Sequence, residues 1–162
     1  MSALQDMQGA ATFDSTRVYR YSLLRVWNDD APRCCFVALN PSTADAQSND
    51  PTVRRCIGYA QDWGYGSLEV VNIFSLRSTD PAVLRTHPDP VGPGNDRAIR
   101  RAASRAALVV AAWGSHGTIG DRDARVLRLL RAVCTPMALA LTAAGQPRHP
   151  LYLRADLRPA PL

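Results

Sequence analysis

Four short apolar runs constrain this chain more than any other feature: Cys34–Leu39, Leu68–Phe74, Ala107–Trp113 and Met137–Leu141. None alternates with polar residues as a half-solvated strand does, and each is too short for a core helix, so they read as strands buried on both faces. Helix start signals fall between them. Asp50-Pro51 supplies an N-cap with proline at the first helical position and predicts a helix to about Asp62, closed by Gly64-Tyr-Gly66. Asp80-Pro81 predicts a short helix, Gly94-Asn95-Asp96 one to about Arg105, and Gly120-Asp121 one to about Val133. Buried strands alternating with helix-length crossovers define a three-layer α/β/α sandwich around a mostly parallel central sheet. Val18–Trp27, β-branched and aromatic, predicts a further strand that turns at Asn28–Pro32. A single domain over residues 15–158 is expected, with residues 1–14 and 159–162 as flexible ends.

A chain of 162 residues buries enough surface to fold without disulfides or a structural metal. Its hydrophobic share of 46% and charged share of 20% exclude the composition of a disordered chain. The longest apolar stretch, Ala106–Trp113, is under half of the ~20 residues that a bilayer helix needs, so no membrane partner is expected. The first residues lack a basic segment followed by an apolar run; a cytoplasmic monomer is the expectation. Cys34, Cys35, Cys56 and Cys134 contain no C-x-x-C pair, and neighbours on a strand point to opposite faces. Neither zinc nor an iron–sulfur cluster is expected of them, and they read as buried reduced thiols.

All 19 basic residues are arginines, set against 14 acidic ones for a net charge of +5. The guanidinium fork suits phosphate, although coding bias accounts for arginine usage equally well. Arg97, Arg101 and Arg105 recur every four residues and stack along one side of a helix, whereas Arg122, Arg125, Arg128 and Arg131 drift around another. The excess permits a polyanionic partner without demanding one.

In sheets of this kind ligands bind beyond the carboxyl ends of the strands. Four polar segments fall there: Asn40–Asp45, Ser75–Thr79 with Asn72 just inside, Gly114–Gly117 and Gly145–Tyr152. Asn40 before Pro41 is also a common turn dipeptide. Asn72, inside a buried strand, needs a partner, because an unpaired amide there costs about 1–3 kcal/mol. The helix cap accounts for Asp50, while Asp45 lacks such a reason and is a candidate general base.

The series Leu39-Asn-Pro-Ser-Thr-Ala-Asp45, Asp50-Pro-Thr-Val-Arg-Arg-Cys56, Gly92-Pro-Gly-Asn-Asp96, Ala112-Trp-Gly114 and Pro147-Arg-His-Pro-Leu-Tyr152 resembles an uncharacterised bacterial and phage domain family, over about Tyr19–Leu153. More distantly, the order of motifs is similar to the uracil-DNA glycosylase superfamily, whose fold is a small parallel sheet between helices. Ala38–Ser42 takes the place of its water-activating loop, and Val70–Arg77 looks like the strand whose asparagine pairs with a flipped base. Ala112–His116 matches its Trp-Gly strand end, and His149–Tyr152 its His-Pro motif with an apolar wedge.

The resemblance implies base excision from single- or double-stranded DNA, by hydrolysis of the N-glycosidic bond of a deaminated base, with no metal or other cofactor. It casts Asn40 as water holder, His149 as donor to the base carbonyl and Asp45 as a carboxylate base, since Asn40 stands where the fast enzymes have a carboxylate. Asn72, Leu39, Pro41 and Ser42 would contact the base. Arg54, Arg55, Arg77, Ser115, His116 and Arg148 would hold DNA phosphates, and Leu151 or Tyr152 would fill the gap left by the flipped nucleotide. The chain departs from the superfamily at Ala38, Leu39 and Leu151, and Ser42–Asn49 offers no aromatic residue for the base to stack on. Two other readings stand beside this one. They are a nucleotide or modified-nucleoside processing enzyme using Mg²⁺ on Asp45 and Asp50, and a catalytically silent nucleic-acid-binding module.

Overall fold

The structure is a computed structural model that describes residues 7–162. Part of the expected N-terminal tail, residues 1–6, lies outside the described residues. The described chain is a mixed α/β fold of seven strands in one sheet and four helices. In chain order the elements are β1 (Gln8–Phe13), β2 (Arg20–Val26), β3 (Arg33–Ala38), α1 (Pro51–Asp62), β4 (Ser67–Asn72) and α2 (Val83–Thr86). They continue as α3 (Asn95–Arg105), β5 (Leu108–Ala112), a 3-10 segment (Ser115–Asp121), α4 (Arg122–Arg131), β6 (Met137–Ala138) and β7 (Ala160–Pro161).

The sheet order is β1-β2-β4-β3-β5-β6-β7. The pairings β4-β3, β3-β5 and β5-β6 are parallel, and β1-β2, β2-β4 and β6-β7 are antiparallel. The expected mostly parallel sheet is therefore confined to the central four strands, because antiparallel partners close both flanks. One side of β3 turns Cys34, Phe36 and Ala38 toward α1, where Phe36 stacks on Tyr59 and Trp63 at centroid distances of 6.4 and 6.1 Å. The other turns Cys35, Val37 and Leu39 toward Ile99 of α3 and Val126 and Leu130 of α4. A strand covered on both faces has no polar side to alternate, which is why its sequence is a continuous apolar run. Burial pushes the thiols of Cys34, Cys35 and Cys56 up, so these free cysteines are packing residues and poor nucleophiles.

Asp50 caps α1 as its sequence position requires, with its Oδ1 accepting from Val53 N at 2.8 Å. Strand pairing reaches into both of the expected flexible ends. Residues 8–13 add an edge strand to β2, and residues 160–161 pair with β6, where Leu162 N also donates to Pro136 O at 3.0 Å. The C-terminal segment is further held by α1, because Tyr59 Oη and Trp63 Nε1 donate to the carbonyls of Arg154 and Leu157. The fourth apolar run pairs with β5 only through Met137 and Ala138. Beyond them Leu141 bridges to Pro147 and Arg148 N donates to Ala140 O, which folds the 145–149 loop back over the sheet.

Candidate active-site cleft

Helix α1, which follows β3, covers one face of the sheet, and α4, which follows β5, covers the other. Since β3 and β5 are neighbours, their outgoing loops diverge and leave a crevice at the carboxyl ends of the strands. A cleft of about 240 Å³ occupies this place. All four loop segments singled out in the sequence reach it or its wall: Leu39, Asn40 and Ser42 after β3, Ser78 and Thr79 after β4, Gly114, Ser115 and His116 after β5, and His149 after β6.

Asn40 is oriented by its nitrogen. Nδ2 donates to the carbonyls of Ser78 at 3.0 Å, Pro41 at 3.2 Å and Leu76 at 3.4 Å. An amide nitrogen pinned by carbonyls leaves Oδ1 as the group able to accept from a water or ligand. His149 Nδ1 accepts from Leu151 N at 3.3 Å, which places the ring proton on Nε2. Burial holds this imidazole below its ordinary pKa, against an opposing pull from Asp50. His149 is therefore a neutral donor at neutral pH.

The loop opposite is set by Gly114, whose φ of 73° and ψ of −168° suit only glycine. Its N–H donates to Pro147 O at 2.7 Å, and a Cβ there would stand 3.6 Å from His149 Cβ. Trp113 is tied to the same loop by Nε1 donating to Gln146 Oε1 at 2.9 Å, while Gln146 Nε2 reaches Asp123 at 2.9 Å.

The acid-side consequence follows from the direction of the His149 shift. The unfolded chain binds a proton near the ordinary histidine pKa while the folded chain resists it, so stability falls as pH drops through and below about 6.5. His149→Gln is expected to flatten this part of the Tm-against-pH profile between about pH 6.5 and 5. An unchanged acid slope in the variant would mean that other groups set it.

Several sequence candidates lie elsewhere. The Asn72 side chain is not part of the cleft; it is buried, and Oδ1 accepts from Arg20 Nη2 at 3.2 Å. Its need for a partner is thus met by a buried arginine, which also donates to Ala44 O and which burial brings down to about 10. Asp45 uses one carboxylate oxygen on Gln47 N, Ser48 N and Ser48 Oγ, each at 2.9 Å, and these bonds hold it below the usual carboxylate range. It staples its own loop. Pro41 contributes its carbonyl to Asn40 and Ser78, and Arg77 donates to Arg17 O and covers the Phe13 ring. Arg148 is exposed, with its backbone N–H on Ala140. Arg54, Arg55, Leu151 and the 93% exposed Tyr152 form a separate depression beside Pro51.

Thr52 and Pro81 line the cleft although neither is a candidate in the sequence, and Trp113, which figures there only within its Trp-Gly strand end, lines it as well. The position of Trp113 at the end of an apolar run next to Gly114 is the nearest thing to a site signal among the three.

The fold and cleft define an α/β domain with an open cleft at the carboxyl ends of a four-stranded parallel core. A protein-family model described as a protein of unknown function, DUF1643, matches residues 20–151, and the chain belongs to that family. The matched segment contains Asn40 and His149 and leaves out β1 and β7. Comparison with curated proteins and with solved structures returns no match.

Proposed function

We propose that the domain hydrolyses the N-glycosidic bond of a deaminated base in DNA. The observation that carries this reading is the meeting of Asn40 and His149 in one cleft whose lining, among the described residues, includes no carboxylate and no guanidinium. Such a lining suits the neutral donors and acceptors of a base edge, whereas a metal-bridged phosphate calls for carboxylates. The four-stranded parallel core between helices and the exposed Tyr152, whose φ is 74°, also fit the resemblance to uracil-DNA glycosylases.

Bond cleavage builds positive charge on the sugar and negative charge on the departing base. His149 Nε2–H donates to a carbonyl oxygen of that base, where the charge collects. Asn40 Oδ1 orients the water that adds to the cationic sugar. The water sheds its proton to solvent as it bonds to carbon, so the amide need not act as a base. Arg54, Arg55, Leu151 and Tyr152 take the flanking backbone and the vacated stack.

Duplexes carrying uracil opposite guanine are expected to yield alkali-labile abasic sites, and Asn40→Ala is expected to suppress them. Absence of abasic product from uracil, hypoxanthine and xanthine in both single- and double-stranded DNA would overturn the reading.

A further inference from the structure

A second cavity, of about 280 Å³, lies away from the cleft, between α3 and the β1–β2 flank of the sheet. Its wall on the helix side is Arg97, Arg101 and Arg105, and its other wall presents Thr12 and Tyr21. At its floor is Glu69, the only glutamate in the chain and just 1% exposed.

Glu69 has no acceptor capacity to spare for a cation. Its oxygens take Arg105 Nε at 3.0 Å and Nη2 at 2.7 Å, Ser22 Oγ at 2.5 Å and Arg33 Nη1 at 3.4 Å. The carboxylate grips Arg105 by one edge and leaves Nη1 without a bond among the described residues. Arg97 and Arg101 make no ion pair among the described residues, and the hydroxyl of Tyr21 has no hydrogen-bond partner there. Like charges one helical turn apart repel unless an anion lies between them.

We propose that this cavity binds a phosphate dianion, carried by a small phosphomonoester or free in solution. Arg105, held rigid by Glu69, presents its free edge. Arg97 and Arg101 close on the remaining oxygens, and the hydroxyls of Tyr21 and Thr12 complete the shell. The concave shape and the fixed guanidinium favour a compact dianion over the monoanionic backbone of a nucleic acid.

The test is thermal unfolding of the full chain in chloride buffers of matched ionic strength, with inorganic phosphate, glycerol phosphate or a single-stranded oligodeoxynucleotide added. Phosphate and glycerol phosphate are expected to raise Tm progressively with concentration. The rise should be lost in the Arg97→Gln/Arg101→Gln double variant, whose altered side chains are exposed, and retained in Arg54→Gln/Arg55→Gln. Backbone amide shifts on phosphate addition should centre on Gly94, Arg97 and Ala98. No Tm rise in the native chain, an equal rise in the double variant, or amide shifts there with the oligonucleotide alone would overturn the proposal. The glycosylase assay is independent of all three outcomes.

Discussion

Asn40→Ala is expected to lower the single-turnover rate of base excision by about 100- to 1,000-fold, the range found when one preorganised polar group is removed from an active site. Binding of a uracil-containing duplex should change little, because the role proposed for the amide is to hold a water and not the DNA. The substitution also leaves the carbonyls of Pro41, Leu76 and Ser78 without their shared donor, at a cost of about 1–2 kcal/mol in stability. Asn40→Asp is the more informative variant. A carboxylate would restore the base that the faster uracil-DNA glycosylases carry, but it would place an anionic oxygen where three carbonyl oxygens now receive an N–H. The expected outcome is a loop that loses its anchor, a lower Tm and no gain in rate. A faster and equally stable Asn40→Asp enzyme would show that the anchor is dispensable, and an unimpaired Asn40→Ala enzyme would remove Asn40 from the mechanism.

Glu69→Ala is expected to destabilise the fold by about 2–4 kcal/mol, or roughly 5–10 °C in Tm for a domain of this size. The side chain lies inside β4 between two buried flanks, and its loss opens a cavity while releasing Arg33, Arg105 and Ser22. Removing one partner of a buried pair costs most when the survivor stays trapped. Here Arg33 and Arg105 are 25% and 40% exposed and return to water, which keeps the cost near the lower part of the range. Glu69→Gln retains the volume and some of the hydrogen bonds, so it should cost less than half as much. Urea unfolding of the two variants provides the comparison, and equal midpoints for native and Glu69→Ala chains would contradict this account.

The parallel core was legible because burial on both faces writes itself into sequence as uninterrupted apolar runs. Phe36 and Val37 had to be apolar, since one meets Tyr59 and the other meets α3 and α4. The helix at Pro51 was legible for a local reason, the cap of Asp50 on Val53. The edge strands β1 and β7 were not, although Val18–Trp27 did announce β2. Gln8–Phe13 is mostly small residues with little strand preference of their own, and it becomes a strand because β2 offers it an unpaired edge. The candidate site divides in the same manner. Asn40 and His149 were readable from their places after apolar runs. Asn72 and Asp45 have the right residue types for chemistry, but Arg20 occupies the first and the Gln47–Ser48 turn the second.

The sequence by itself determined the alternation of elements, the four strands of the parallel core and the loops in which polar chemistry collects. Apolar period, caps and turn residues act over a few neighbours, and a chain carries them wherever it goes. Only the tertiary structure decided which of those polar groups face the cleft. The choice of Asn40 over Asn72 rests on partners distant in sequence, the carbonyls of Leu76 and Ser78 for one and the guanidinium of Arg20 for the other. So does the pairing of Glu69 on β4 with Arg105 on α3, because a buried polar group takes its meaning from whatever long-range packing leaves within hydrogen-bond reach.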